Sequence, residues 1–294
     1  MTGASMRSLD ALARVSGTFL MVAMDQRESL RTMLAEHGHP ATDAHVAAFK
    51  VAVTRELSPH ASALLVDSEY GWFERITDEG LVARGCGLIM AVDALDQQPG
   101  AIVEDTSLDR RVDVAAAAAR GVEALKLLVI WRDDDRRAER VEMSEAFAQL
   151  AHDHGLLAVL EPVVRVPEHA REEAIVEAAR ELSVTGCDLY KCQVPLGGKG
   201  EPAEITRWSR RIDDAAACPW VVLSQGVDPA DFPAAVEAAC KGGASGMLAG
   251  RAVWTATLEA ADPTELLRSV SVPRLAELGA IVDAHGRPWR EHAT

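Results

Sequence analysis

The chain has 294 residues, 48% of them hydrophobic, and carries 30 basic against 45 acidic side chains, a formal net charge of -15. That balance argues against nucleic acid or an anionic membrane as a partner, because phosphate contacts need a basic surface, and no apolar run approaches the roughly 18 residues of a membrane span. A small anionic ligand remains compatible with it, since a few arginines in a cleft hold a local positive field inside an acidic protein. Five cysteines at scattered spacings, with no CxxC pair, predict reduced thiols rather than a disulfide framework or a zinc site. Residues 1–18 contain no long apolar core of a signal peptide, so a cytoplasmic protein is expected.

A polar lead-in over residues 1–17, with a short amphipathic piece from Ser8 to Val15, precedes a first strand at Phe19–Ala23 that ends in Asp25-Gln26-Arg27. Helical patterns at Ser29–Glu36 and Asp43–Leu57 lead to a second strand, Ala63–Asp67. Cys86–Val92 is the third strand, Val112–Arg120 a helix, Ala124–Trp131 the fourth strand, and Arg136–His152 a helix closed by Gly155. Leu156–Glu161 reads as the fifth strand, Arg171–Thr185 as helix, and Asp188–Gln193 as the sixth strand, with Lys191 in its middle. After a polar loop and a helix near Ala203–Ala216 come Trp220–Ser224, the helix Pro229–Lys241, and an eighth strand, Gly246–Gly250.

Each strand is a short, nearly continuous apolar run, as expected where both faces of a parallel sheet are covered. Eight strand-helix units in about 250 residues predict a single α/β domain, a (β/α)8 TIM barrel spanning residues 1–294, with residues 264–294 as C-terminal helix and tail. The alternative, a doubly wound open sheet, lacks a GxGxxG after the first strand.

Barrel sites lie at the C-terminal ends of the strands. There stand Asp25, Asp67, Lys126, Glu161, Lys191, Ser224 and Arg251. By alternation, Asp25 shares the phase of Ala23, Glu161 that of Val159, Ser224 that of Val222 and Lys126 that of Leu128, which we read as one inward set. A lysine in an apolar strand can snorkel to water or pair with an acid, and Lys126 with Glu161 can be a structural ion pair. Two lysines with two carboxylates in one barrel mouth point instead to chemistry. Desolvation and the cation of Lys126 would leave Lys191 partly neutral, able to attack a ketone and form an iminium. Glu161 would shuttle protons, and Asp25 would polarise or deprotonate a hydroxyl, both suited to the work if burial raises their pKa.

Leu223-Ser-Gln-Gly-Val227 and Leu248-Ala-Gly-Arg-Ala252 follow the last two strands, where barrels bind phosphate. Gly226 and Gly250 would let the backbone approach the anion, and Arg251 would supply a forked cation. None of the nine histidines sits at a predicted strand end, so no catalytic metal is expected; His37, His39, His152 and His154 read as solvated surface.

The blocks "MVAMDQRESLRTML", "ALLVDSEYG", "EALKLLVIWR", "LEPVVR", "DLYKCQVPLGGKG", "PWVVLSQGVD" and "GASGMLAGRAVW" resemble the class I tagatose-bisphosphate aldolase group, most closely its sulfofructose-phosphate aldolases. The likeness runs from about Ser16 to Asp283. It implies metal-independent cleavage of 6-deoxy-6-sulfofructose 1-phosphate to dihydroxyacetone phosphate and 3-sulfolactaldehyde. Lys191 then falls on the Schiff-base position, Asp25, Lys126 and Glu161 on assisting positions, and Ser224, Gly226, Gly250 and Arg251 on the phosphate loops. Gln26 and Arg27 are assigned to the sulfonate. The segment after the second strand, "DSEYG", is closer to the tagatose-bisphosphate type, which keeps tagatose or fructose bisphosphate as a competing substrate. A non-catalytic phosphosugar-binding barrel and a phosphate-barrel isomerase are the readings from other classes. Trp254 and residues 264–280 can cover either the core or a partner subunit, and a homo-oligomer is the expectation.

Overall fold

A computed structural model of the protein describes residues 7–98 and 102–293; the first six residues of the lead-in and the last residue of the tail lie outside them. Ten strands are described: β1 (Phe19–Ala23), β2 (Ala63–Val66), β3 (Gly87–Ala91), β4 (Asp93–Asp96), β5 (Asp105–Leu108), β6 (Val122–Trp131), β7 (Leu157–Val164), β8 (Leu189–Gln193), β9 (Trp220–Leu223) and β10 (Gly246–Ala249). Eight of them close into a parallel barrel in the order β1-β10-β9-β8-β7-β6-β3-β2, and β4 and β5 form a separate antiparallel hairpin. The barrel is the α/β fold that the alternating apolar runs predict.

Around it lie α1 (Glu28–Glu36), α2 (Asp43–Leu57), α3 (Trp72–Asp78), α4 (Val114–Ala119), α5 (Arg137–Asp153), α6 (Arg171–Leu182), α7 (Pro202–Ala215), α8 (Phe232–Lys241), the single turn α9 (Arg251–Trp254), α10 (Thr264–Leu266) and α11 (Val272–His285). Local chemistry sets several starts. Thr42 caps α2 by accepting from His45 N, Asp113 caps α4 by accepting from Ala116 N, and Pro202 opens α7. Among the described residues no helix is long and apolar enough to cross a membrane.

Strand alternation divides the core in two. Phe19, Met21, Ala23, Leu65, Ile89, Val159, Leu189, Val221 and Leu248 fill the barrel interior, while Leu20, Val22, Leu64, Leu125, Leu160, Tyr190 and Val222 pack outward against the helices. Val222 therefore faces out, not in. Ser224 lies past the end of β9, where the strand's alternation no longer governs its direction.

Ser8–Val15, the expected short amphipathic piece, forms turns that bury Leu9 and Leu12 in the floor of the barrel beside Trp289 and leave Ser8 and Asp10 exposed. The fifth barrel strand does not stop at Glu161: β7 runs on through Pro162 to Val164 because β6 extends beside it, with Trp131 opposite Val164. Residues 93–108, read as connection, carry the β4–β5 hairpin, which docks on β6 through Thr106 Oγ1 donating to Leu128 O at 2.7 Å. Trp254 is fully buried within the chain and donates its Nε1 hydrogen to Ala23 O at 3.0 Å, so it covers core.

Candidate active site

A cleft of about 280 Å³ opens at the C-terminal ends of the barrel strands. Asp25, Gln26, Arg27, Lys126, Glu161, Lys191, Ser224, Gly250 and Arg251 all line it, and Gly226 lies one residue beyond lining Gln225. Lys126 and Lys191 are only 2% and 4% exposed, so both amines are held inside the barrel. They are there because β6 and β8 each place one lysine at an inward position of an otherwise apolar strand.

Lys126 is the hub. Its Nζ lies 3.0 Å from Asp25 Oδ2, 3.1 Å from Asp93 Oδ1 and 2.9 Å from Glu161 Oε2. The same Oε2 lies 2.9 Å from Lys191 Nζ. Glu161 Oε2 thus lies between the two lysine nitrogens.

Burial works against the Lys126 ammonium, yet the carboxylates of Asp25, Asp93 and Glu161 outweigh it and hold its pKa well above the ordinary lysine value. For Asp25, burial alone would raise the carboxyl. Lys126, Lys191 and Arg27 reverse that and hold it well below the usual carboxylate range. The expected upward shift therefore does not occur at Asp25, because three cations face it.

This has a consequence for stability. A carboxyl whose folded pKa lies below its unfolded value of 3.8 contributes stability that is complete above that pH and is lost as the pH falls through and below it. Asp25→Asn should flatten the acid limb of a stability-versus-pH curve below about pH 4. Urea midpoints measured from pH 6 downward check this, and a limb of unchanged steepness would contradict it.

Asp93 was not singled out from the sequence. It opens β4, two residues past the end of β3, and is 2% exposed. Besides meeting Lys126, it is gripped by Arg27, which donates to Asp93 O at 2.7 Å and lies 3.4 Å from Asp93 Oδ2. Arg27 thus spans from the β1 end to the hairpin, and burial notwithstanding, Asp93, Asp67 and Asp25 keep its pKa raised. The only sequence cue was an acid at a strand end, the same cue that marked Asp25.

Asp67, by contrast, does not line the cleft. It is fully buried against Lys50 of α2, and it accepts from Trp72 Nε1 at 3.3 Å and from Glu69 N at 2.9 Å. Gln193, at the top of β8, accepts from Val164 N at 2.8 Å and so ties the lysine strand to the extended β7.

Beyond the neighbouring strand β9, Ser224 O accepts from Val227 N at 3.2 Å, a tight turn in which Gly226 takes φ +81°. Gly250 approaches β1 so closely that a Cβ there would sit 2.5 Å from Ala23 O. Arg251 forms no ion pair among the described residues; burial lowers its pKa, with Glu161 and Asp25 acting the other way.

Among the described residues no group of three or more His, Cys, Asp or Glu is disposed to hold a metal ion. Where three carboxylates do converge, Lys126 Nζ occupies the centre. The histidines sit elsewhere, but His152 and His39 are not simply solvated: His152 Nε2 meets Asp188 Oδ2 at 2.9 Å, and His39 Nε2 meets Leu258 O at 2.7 Å.

Known proteins of similar sequence and fold are aldolases. Tagatose 1,6-diphosphate aldolase of Streptococcus agalactiae is 25% identical over 99% of this chain and 99% of its own length. The enzyme of the same name from Listeria monocytogenes is 29% identical, over 95% of this chain and 93% of its own. In fold, the chain is similar to fructose-bisphosphate aldolase from Plasmodium falciparum, with TM-score 0.69 at 13% identity, covering 95% of this chain and 93% of that one. The family model described as DeoC/LacD family aldolase matches residues 19–256, from the first residue of β1 to just past α9. The chain therefore belongs to the DeoC/LacD family and is an aldolase, a lyase of carbon-carbon bonds.

Proposed function

We propose that this aldolase works through a Schiff base on Lys191 and cleaves a six-carbon ketose 1-phosphate that carries a second anion at its far end. The observation that carries the reading is the Lys191 amine 2.9 Å from Glu161 Oε2 inside a cleft that is also lined by Ser224, Gly250 and Arg251.

Lys191 Nζ adds to the ketone carbon to give a carbinolamine, and Glu161, in reach of that nitrogen, carries the proton that lets water leave. The resulting iminium draws the electron pair of the bond between the third and fourth carbons as that bond breaks, forming an enamine. The hydroxyl proton on the fourth carbon must go to a base as the aldehyde forms. Asp25, held as a carboxylate by Lys126, would take that proton. Protonation of the enamine and hydrolysis of the iminium release dihydroxyacetone phosphate and restore the amine. Because the iminium is the electron sink, this route needs no metal.

The relatives' names support tagatose 1,6-bisphosphate as substrate, with fructose 1,6-bisphosphate as its close alternative. The sequence blocks support 6-deoxy-6-sulfofructose 1-phosphate, with 3-sulfolactaldehyde as the second product. The sulfosugar differs from fructose bisphosphate in the terminal group alone and from tagatose bisphosphate also in the configuration at the fourth carbon, and rates with all three decide between them. Incubation with dihydroxyacetone phosphate and borohydride should leave a stable mass increment on the peptide holding Lys191, with chelator present or absent. Failure to trap an adduct on a protein shown to bind the ligand would sink the Schiff base. The protein is read as a cytoplasmic homo-oligomer; sedimentation checks the assembly.

A further inference from the structure

The cleft is stratified. At its depth lies the Lys126 and Lys191 cluster; above it Ile130, Val163 and Leu223 form an apolar collar. Above the collar, at the next inward position of β7's alternation, stands Arg165. It is there because β6 and β7 outrun the other strands: Arg165 N, one residue past the end of β7, donates to O of Trp131, the last residue of β6, at 2.8 Å. Glu161 and Arg165 are four residues apart, so their backbones are separated by about 13 Å along the wall.

Arg165 forms no ion pair among the described residues, and its buried Nε has no hydrogen-bond partner. Its charged neighbours are Arg132, Arg171 and Glu104. Glu104 is already taken, since Arg132 lies 3.2 Å from its carboxylate and donates to its backbone oxygen at 2.6 Å. Arg171 opens α6, where the helix dipole disfavours a cation, and its Nη1 lies 3.3 Å from where a Cβ on Gly197 would stand. In a protein with a net charge of -15, Arg165 thus has two arginines and one already-paired carboxylate as its charged neighbours. A buried guanidinium edge without an acceptor is costly, and an oxyanion would satisfy it with two forked bonds.

In the ring of eight strands, β7 stands three places from β10, close to the opposite wall from Arg251. An anion at Ser224 and Arg251 and one at Arg165 would therefore flank Lys191 from two sides. We propose that Arg165 is the specificity-determining residue of a second anion subsite, which receives the terminal phosphate or sulfonate on the sugar half released as aldehyde. The assignment rests on the ketose 1-phosphate reading above and names the part of the site that would recognise the far end.

The test compares three ketose 1-phosphates that differ only at the sixth carbon: a phosphate, a sulfonate or a plain hydroxyl. Arg165→Met should lower kcat/KM for the two doubly anionic substrates roughly 10- to 100-fold, chiefly through KM. Cleavage of the hydroxyl substrate, borohydride trapping on Lys191 and the thermal midpoint should stay at wild-type values. Arg165→Lys should recover part of the preference, as a cation without the fork. Whichever anionic substrate loses more identifies the natural terminal group. An equal loss on all three substrates, or an unchanged ratio between them, overturns the subsite. If the wild type traps dihydroxyacetone phosphate but does not prefer an anionic sixth carbon, the subsite falls while the aldolase reading stands. If the wild type neither traps nor cleaves, both fall.

Discussion

Lys191→Ala should lower kcat by on the order of 10⁴-fold or more, because the amine that would form the covalent intermediate is gone and nothing else in the cleft can replace it. Among the described residues Lys126 is the only other amine lining the cleft, and three carboxylates hold it as an ammonium. The fold should be preserved, since Glu161 keeps Lys126 as its counter-ion at 2.9 Å and no buried charge is stranded. Steady-state rates beside a thermal melt check both halves. A well-folded variant that kept about a tenth of the wild-type rate would be incompatible with a covalent route through this residue.

Lys126→Met should act differently, on stability as much as on rate. It strands Asp25, Asp93 and Glu161, of which the first two keep only Lys191 and Arg27 as cations nearby. Removing one partner from a buried ionic cluster typically costs about 3–5 kcal/mol, which for a chain of this size lowers Tm by roughly 10 °C. The pH dependence should also change sign. Stranded carboxylates have folded pKa values above their unfolded ones, so the native state binds extra protons and gains stability on acidification. Wild-type Asp25 shows the opposite linkage, and melting both proteins at pH 7 and pH 5 should show the variant's deficit narrowing. A constant deficit would mean that Lys126 is not the cation that supports these acids.

The barrel was legible because parallel strands covered on both faces must be apolar along their whole length, and eight such runs were separated by helical periodicity. The two lysines were legible for the same reason, as lone cations in those runs. Asp93 was not, because β3 is short and its end is indistinguishable from a loop until the hairpin folds back on β6. Arg165 was missed since Pro162 gave the fifth barrel strand an apparent stop at Glu161; only the pairing with β6 shows that the wall continues. Ser224 was assigned inward by counting from Val222, which faces out. It reaches the cleft through the turn that follows the strand, where a period of two carries no information. Lys50 and Asp67 show the converse: an acid at a strand end that satisfies a buried lysine of α2 rather than the cleft.

The floor of the barrel is closed by segments from both extremes of the described chain. Leu9 and Leu12 pack with Trp289, Trp289 N donates to Gly17 O at 2.9 Å, and Arg290 pairs with Asp10. These contacts have nearly the largest sequence separation the chain allows, so their loop-closure entropy is among the highest and they are expected to form late in folding. During synthesis, the interior that will hold the lysine cluster stays open to water from below until residue 289 has left the ribosome. The catalytic end can be assembled by β6 to β10 long before the vessel beneath it is sealed.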